Sequence, residues 1–168
     1  MPGDDGFDAF FAACYHRLVG QLFAVTGDLH EAEDLVQEAF VRAAARWSRL
    51  RDYDLPEAWV RRVAINLAAS GLRSARRRLA LLSRLGPPPQ VPPISVESLA
   101  LAEALRALPI SYRQVLVLHH LVGLPLDEVA GQLGLSVGAV KARLHRARAA
   151  LAKLLAPGSL KEANRAQR

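Results

Sequence analysis

The chain has 168 residues, 51% of them hydrophobic, which is enough to bury the core of one ordinary domain or of two small ones. No apolar run approaches the ~20 residues that span a bilayer, and acidic residues stand where a secretion signal has its basic start, so we expect a cytoplasmic protein without membrane insertion. The single cysteine, Cys14, excludes an internal disulfide and lacks the companions of a zinc site. We therefore expect no metal and no cofactor.

The net charge of +6 is distributed unevenly. Residues 1–58 carry five arginines against eleven acidic residues, whereas residues 59–84 carry seven arginines and no acid. An acidic front followed by a basic zone indicates two kinds of partner, a protein surface and a polyanion. Salt-bridged helix surfaces within a single bundle are the alternative.

A proline-rich segment divides the chain. Residues 86–95 read GPPPQVPPIS and hold five prolines, which excludes a helix or a central strand. We place a linker at 83–96, between a first domain at 1–82 and a second at 97–156, with a flexible tail at 157–168.

The first domain shows only helical periodicity, with apolar residues three and four positions apart. One helix covers 7–25 and ends at Thr26-Gly27-Asp28, and a third starts near Pro56 and continues through Trp59. The second helix, between them, carries the apolar set Val36, Phe40, Ala43 and Trp47. No alternating strand pattern occurs, so the predicted class is all-α, with two small helical domains.

The second domain ends in a predicted helix-turn-helix. Two helices stop around Pro109 and at Gly123, a third covers 126–133, and Gly-Leu-Ser at 134–136 leads into a final helix at 137–154. At about 100° per residue, the face of this last helix opposite Val140 and Leu144 is small at its centre and basic at its edges. Such a face suits the major groove of DNA. The candidate contacts are Ser136, Lys141, Ala142, Arg143, His145 and Arg146.

Three segments now support a family resemblance. Residues 123–151, GLPLDEVAGQLGLSVGAVKARLHRARAAL, resemble the region of bacterial sigma factors that recognises the minus-thirty-five promoter element. Residues 31–43, EAEDLVQEAFVRA, resemble their helix that binds core polymerase, and residues 58–68, AWVRRVAINLA, resemble the segment that melts and reads the minus-ten element. The resemblance covers 7–155, and the short chain with only a linker between its domains is similar to the extracytoplasmic-function group.

The resemblance implies a polymerase-binding ridge on the second helix. Its residues would be Asp34, Leu35, Gln37 and Glu38, contacting the clamp coiled coil of the β′ subunit, while the flap of the β subunit is a further partner. An anti-sigma factor is a possible additional partner in this family. Without the other motifs, the same acidic residues would be interpreted as a solvated helix face.

The resemblance also implies a minus-ten site around Asn66. A lone amide in an apolar helix either forms a buried hydrogen bond between helices or reads an unstacked base, and the family pattern favours the base. Trp59 is more typical of packing than of base stacking. Ala139, Ala142 and the run Ala69-Ser70-Gly71 depart from the common pattern. The predicted phosphate contacts are Arg61, Arg62, Arg73, Arg76 and Arg77.

Two other classes compete with a sigma factor. A helix-turn-helix transcriptional regulator would use the same last helix with a sensing or dimerising first domain. An enzyme is disfavoured, because the sequence offers no phosphate-cradling glycine motif, metal cluster or nucleophile with a base.

Overall fold

The structure, a computed structural model, describes residues 6–79 and 96–156, with side chains described for 6–70 and 100–156. Within these ranges the fold is entirely helical, as predicted. The helices are α1 (Phe7–Thr26), α2 (Leu29–Ala44), α3 (Trp47–Leu50), α4 (Pro56–Leu79), α5 (Val96–Ala107), α6 (Ile110–Leu116), a π-helical turn (Val117–Leu121), α7 (Leu126–Leu133) and α8 (Val137–Leu155). The predicted linker at 83–96 lies outside the described residues except for Val96, and the tail at 157–168 lies wholly outside them. No described helix is long and apolar enough to cross a membrane.

Local capping sets the first helix boundaries. Gly27 ends α1 in the left-handed conformation, φ 78°, and its N–H bonds to the Phe23 carbonyl at 2.7 Å. The next residue, Asp28, begins α2, since its carboxylate accepts the Glu31 N–H at 2.9 Å. One short turn thus closes one helix and opens the next, as the sequence predicted.

The placement of Trp47 on the second helix is wrong. The α2 helix ends at Ala44, Arg46 has non-helical angles of φ −124° and ψ 12°, and Trp47 starts the separate helix α3. Its ring stacks on Phe10 at 5.1 Å and meets the edge of Phe7 at 5.2 Å. This aromatic contact with α1 favours a turn where periodicity alone suggested continuation.

The helix predicted to end at Gly123 contains a π-helical turn at its end. Within it, His119 Nδ1 lies 2.8 Å from the Leu124 carbonyl oxygen. The neighbouring His120 accepts a hydrogen bond from Arg148 of α8 at 3.1 Å through Nε2. The two adjacent imidazoles therefore have separate structural partners.

The two lobes pack directly on each other. The first lobe comprises α1–α4 and the second lobe α5–α8. The α1 helix contacts α5 and α6, α4 contacts α7, and a single hydrophobic core runs through both lobes. The sequence predicted two domains but not this contact between them.

Candidate polymerase and DNA surfaces

The predicted polymerase-binding ridge lies on the solvent face of α2. The opposite face of this helix is buried through Val36, Phe40 and Ala43, so Asp34, Gln37 and Glu38 point outward and Leu35 is half-buried beside them. Gln37 and Glu38 each have a partner within the first lobe. Gln37 donates to the Tyr15 hydroxyl at 3.3 Å, and Glu38 pairs with Arg42 at 2.8 Å.

Sequence reasoning missed Val41, which extends this ridge. Its side chain is 64% exposed, and it lies seven residues after Asp34 and four after Gln37, on the same face of the helix. The i, i+3, i+7 spacing of Asp34, Gln37 and Val41 was the signal that could have identified it. An exposed valine beside acidic and amide groups provides apolar contact area for a partner.

The predicted minus-ten residues Arg62 and Asn66 share the exposed face of α4 with Ser70. Because Asn66 is exposed, a buried hydrogen bond between helices does not explain it. Ser70 donates its hydroxyl to the backbone carbonyl of Asn66 at 2.6 Å, and Asn66 itself is exposed to solvent. Arg73, Arg76 and Arg77 continue along α4, but their side chains lie outside those described.

A cavity next to this face was not predicted. It has a volume of about 550 Å³ and a strongly polar lining. The Arg46 guanidinium lies 5.9 Å from the centre of the Trp59 ring, and the Tyr53 side chain is 54% exposed. In the sequence, the feature that could have indicated this cavity is a group of arginines in an otherwise acidic segment. The lining residues are Ala45, Arg46, Ser48, Arg49, Leu50, Tyr53 and Trp59.

Arg61 does not share this face. The residue is only 7% exposed, and its guanidinium lies 3.5 Å from Glu57. Successive helical residues point about 100° apart, so Arg62 reaches solvent while Arg61 is directed into the protein. In this arrangement Arg61 is unavailable to a phosphate.

Glu57 connects α4 to α1. Arg17 donates to it through Nε at 3.0 Å, and the buried Cys14 thiol donates at 3.6 Å. Burial opposes ionisation of Glu57, but the bonds and charge of Arg17, with Arg61 and the thiol, outweigh it, so the pKa of Glu57 lies below its ordinary value. Cys14 is buried and also serves as a hydrogen-bond donor.

We expect Glu57→Gln to lower the free energy of unfolding by about 1 to 3 kcal/mol at neutral pH, because two arginines lose their carboxylate. Because the folded-state pKa of Glu57 is depressed, its ionised carboxylate stabilises the fold fully above the unfolded-state pKa of about 4.3. This stabilisation is lost as the pH falls through the folded-state pKa. Urea unfolding at pH 7 and pH 3.5 should therefore show a larger difference at pH 7 than at pH 3.5. Glu38→Gln, an exposed pair with Arg42, is the control and should change stability by less than about 0.5 kcal/mol. An equal loss at both pH values would mean that shape rather than charge matters.

The α8 helix presents the predicted DNA face. Val140, Leu144 and Ala147 are buried. The predicted contacts Lys141, Ala142, His145 and Arg146 are exposed together with Gly138, and Arg143 is half-buried.

Ser136 begins α8 by accepting the Ala139 N–H at 3.1 Å. The exposed start of the helix and its flanking cations therefore form one surface, without an acidic residue between Ser136 and Leu155.

Known proteins are similar to the chain along most of its length. The family models for sigma-70 region 2 and sigma-70 region 4 match residues 10–78 and 98–151. The extracytoplasmic-function sigma factor SigW of Bacillus subtilis is 32% identical over 167 residues, covering 88% of this chain and 83% of SigW. The probable sigma factor RfaY of Xanthomonas campestris is 36% identical over 151 residues, covering 82% of this chain, which spans only 37% of RfaY.

Two solved structures share the fold. The sigma factor RpoE in complex with the anti-sigma factor NepR, from Bartonella quintana, has a TM-score of 0.72 at 21% identity, covering 90% of this chain and 98% of that chain. CnrH in complex with the cytosolic domain of CnrY has a TM-score of 0.62 at 30% identity, covering 94% and 92%.

The two lobes, the acidic ridge and the helix-turn-helix together define a promoter-specificity factor of bacterial RNA polymerase. The chain belongs to the sigma-70 family, in its extracytoplasmic-function group, whose members direct promoter-specific transcription initiation. A separate regulator with a sensing lobe is not favoured.

Proposed function

We propose that this chain binds core RNA polymerase through the ridge of α2, from Asp34 to Val41. The ridge combines carboxylates, an amide and an exposed apolar side chain, which suits a basic, partly apolar surface such as the clamp coiled coil of the β′ subunit. The flap of the β subunit is the proposed contact for the second lobe. The observation that carries the proposal is that one chain bears both this acidic ridge on α2 and an exposed basic face on the last helix of a helix-turn-helix.

We further propose that α4 holds the opened minus-ten element. Asn66 would read a base edge, Arg62 would contact a phosphate, and the 550 Å³ cavity beside Trp59 would receive an unstacked base. Arg46 and Arg49 line that cavity and supply positive charge for the flanking backbone. Arg73, Arg76 and Arg77 are proposed to follow the duplex beyond it.

The α8 helix would dock in the major groove of the minus-thirty-five element. The chain itself makes and breaks no bond, because it only stabilises opened DNA by binding it, and polymerase performs the chemistry. We propose that it acts in the cytoplasm. An anti-sigma protein is a proposed partner, since the similar proteins RpoE and CnrH were solved with NepR and with the cytosolic domain of CnrY.

Reconstitution with core polymerase tests the proposal. Adding the chain to core enzyme should give run-off transcripts from a specific set of promoters, and sequencing their start sites should reveal shared upstream bases. DNA binding by the chain alone, without association with core polymerase, would instead support a regulator.

We expect Asn66→Ala to lower open-complex formation about 5- to 150-fold, equivalent to about 1 to 3 kcal/mol for a lost base contact. The variant should also tolerate substitutions of the contacted base better than the wild type does, as measured by permanganate reactivity on a promoter series. Ser70→Ala is the matched control, because its hydroxyl bonds to backbone carbonyls of α4. Unchanged base discrimination in Asn66→Ala would contradict the assignment.

A further inference from the structure

We infer that a cavity formed by α1, α4 and α7 binds a small dipolar metabolite, an apolar α-amino acid. Arg17 and Arg61 would hold its carboxylate, and Glu128 would hold its ammonium group. None of the residues that line this cavity belongs to the proposed polymerase ridge or to the exposed faces of α4 and α8, so the inference goes beyond the proposed function.

The cavity has the size of a small metabolite. Its volume is about 290 Å³, and its lining comes from α1, from the first turns of α4, and from the segment between Val122 and the first turn of α7. This volume equals that of about ten water molecules. It therefore suits a ligand with a comparable number of non-hydrogen atoms.

Two unpartnered buried atoms belong to residues that line this cavity. Among the described residues, five buried side-chain nitrogen or oxygen atoms have no hydrogen-bond partner. Two of the five are Gln21 Oε1, an acceptor, and Arg61 Nε, a donor, and these residues are only 8% and 7% exposed. A buried polar atom without a partner lowers the stability of the fold. Such atoms therefore mark a place where water or a ligand completes the hydrogen bonding.

The charges around the cavity are separated. Glu57 accepts from Arg17 Nε at 3.0 Å and lies 3.5 Å from Arg61, so two cations share one carboxylate. Glu128 lines the cavity from α7 and forms no ion pair among the described residues. Burial lowers the pKa of the Arg61 guanidinium, while the charges of Glu57 and Glu128 oppose that shift. The field of Glu128 thus reaches Arg61 without a direct bond.

This distribution of charge selects a dipolar ligand. A free anion such as phosphate would be attracted by the two arginines but repelled by Glu128, and a free cation would meet the reverse. A molecule with both a carboxylate and an ammonium group matches both charges. Its carboxylate would accept from Arg17 and Arg61, and its ammonium group would donate to Glu128 and to Gln21 Oε1.

The rest of the lining is apolar and fits a hydrocarbon side chain. Val122 and Leu124 are half-buried, Ala58 lies in the first turn of α4, and Leu55, just before that helix, is 66% exposed. Water alone would satisfy the polar atoms but would leave this wall hydrated, whereas a branched hydrocarbon would displace that water. An α-amino acid of the size of leucine combines the required dipole with such a side chain.

The site gives the buried Arg61 a role. The sequence predicted a phosphate contact for this residue, but its guanidinium lies beside the cavity, where it would bind a ligand carboxylate instead. The α4 helix also carries Asn66, and α7 directly precedes the proposed DNA helix α8. An occupant would therefore bias the positions of both elements that are proposed to contact DNA.

Titration of the isotope-labelled full chain with L-leucine, followed by nuclear magnetic resonance, tests the site. The Arg61 Nε–H signal and the backbone amides of Val122 and Leu124 should shift and saturate, with a dissociation constant below about 1 mM. Two matched probes each lack one charge, since isovalerate has no ammonium group and isoamylamine has no carboxylate. Both should bind at least about tenfold more weakly. Equal binding of all three probes, or shifts that do not saturate, would overturn the inference and leave water as the occupant.

Glu128→Gln removes the carboxylate proposed to hold the ammonium group. L-leucine should bind this variant at least about tenfold more weakly, while isovalerate, which no longer faces a negative charge, should bind it better than it binds wild type. Asp127→Asn is the matched control, because Asp127 is an exposed carboxylate of the same helical turn that does not line the cavity. It should bind all three probes as wild type does.

Unchanged leucine affinity in Glu128→Gln, or an equal loss in Asp127→Asn, would also overturn the inference. Glu128 is exposed, so its variant should fold, and the dispersion of the amide signals verifies this. The comparison of the three probes on wild type decides the question even if a variant is unstable. No polymerase is needed, so failure of this test leaves the proposed function unaffected.

Discussion

Core polymerase should bind the chain carrying Asp34→Ala and Gln37→Ala at least tenfold more weakly than wild type, because two exposed polar contacts at the centre of the ridge are lost. Adding Val41→Ala should weaken binding further by removing apolar contact area. None of these side chains is buried, so the fold and upstream DNA binding by the second lobe should persist. Competition between labelled wild type and each variant for core polymerase measures the effect.

Asp52→Ala is the matched control for the ridge, since it removes an exposed carboxylate of the same lobe away from α2. It should compete as well as wild type. Equal competition by the double variant would show that the clamp contact lies elsewhere on the first lobe.

The second large effect is expected on α8. Lys141→Ala and Arg146→Ala should each weaken promoter recognition by about 1 to 3 kcal/mol where the side chain reads a base. A side chain that contacts only phosphate should instead weaken binding uniformly across sequences and reduce the salt slope by about one. Competition between promoters that differ in single upstream bases, at several salt concentrations, separates the two roles.

Lys153→Ala is the control for α8, because this lysine is an exposed cation on the last turn of the same helix. It should leave sequence preference unchanged. Unaltered upstream binding in both Lys141→Ala and Arg146→Ala would show that another face of α8 meets the DNA.

Periodicity predicted most of this fold because it reports which side of a helix is buried. The phase of Val140 and Leu144 placed Lys141 and Arg146 on the outer face of α8, where the structure has them. A capping residue such as Asp28 bonds to a residue only three positions later, so the helix boundary that it sets could also be predicted from the sequence.

Periodicity does not report which neighbour a buried side chain meets. The turn before Trp47 depends on the rings of Phe7 and Phe10, which are distant in sequence. Arg61 and Arg62 are adjacent residues of the same type, but they differ in exposure. Arg61 is buried against Glu57 and the second lobe, whereas Arg62 reaches solvent. The cavity beside Trp59 and the contact between the lobes are likewise products of tertiary packing.

The aromatic contact of Trp47 links the beginning of α1 to the cavity proposed to receive a base. Trp47 opens the short helix that supplies Ser48, Arg49 and Leu50 to the proposed base cavity, and its ring is held by Phe7 and Phe10. The first turn of α1 thus supports a proposed nucleotide-binding surface to which it contributes no lining residue. With the cavity acting as proposed, a fusion tag that disturbs this turn would alter promoter preference while every proposed DNA-contacting residue remained intact.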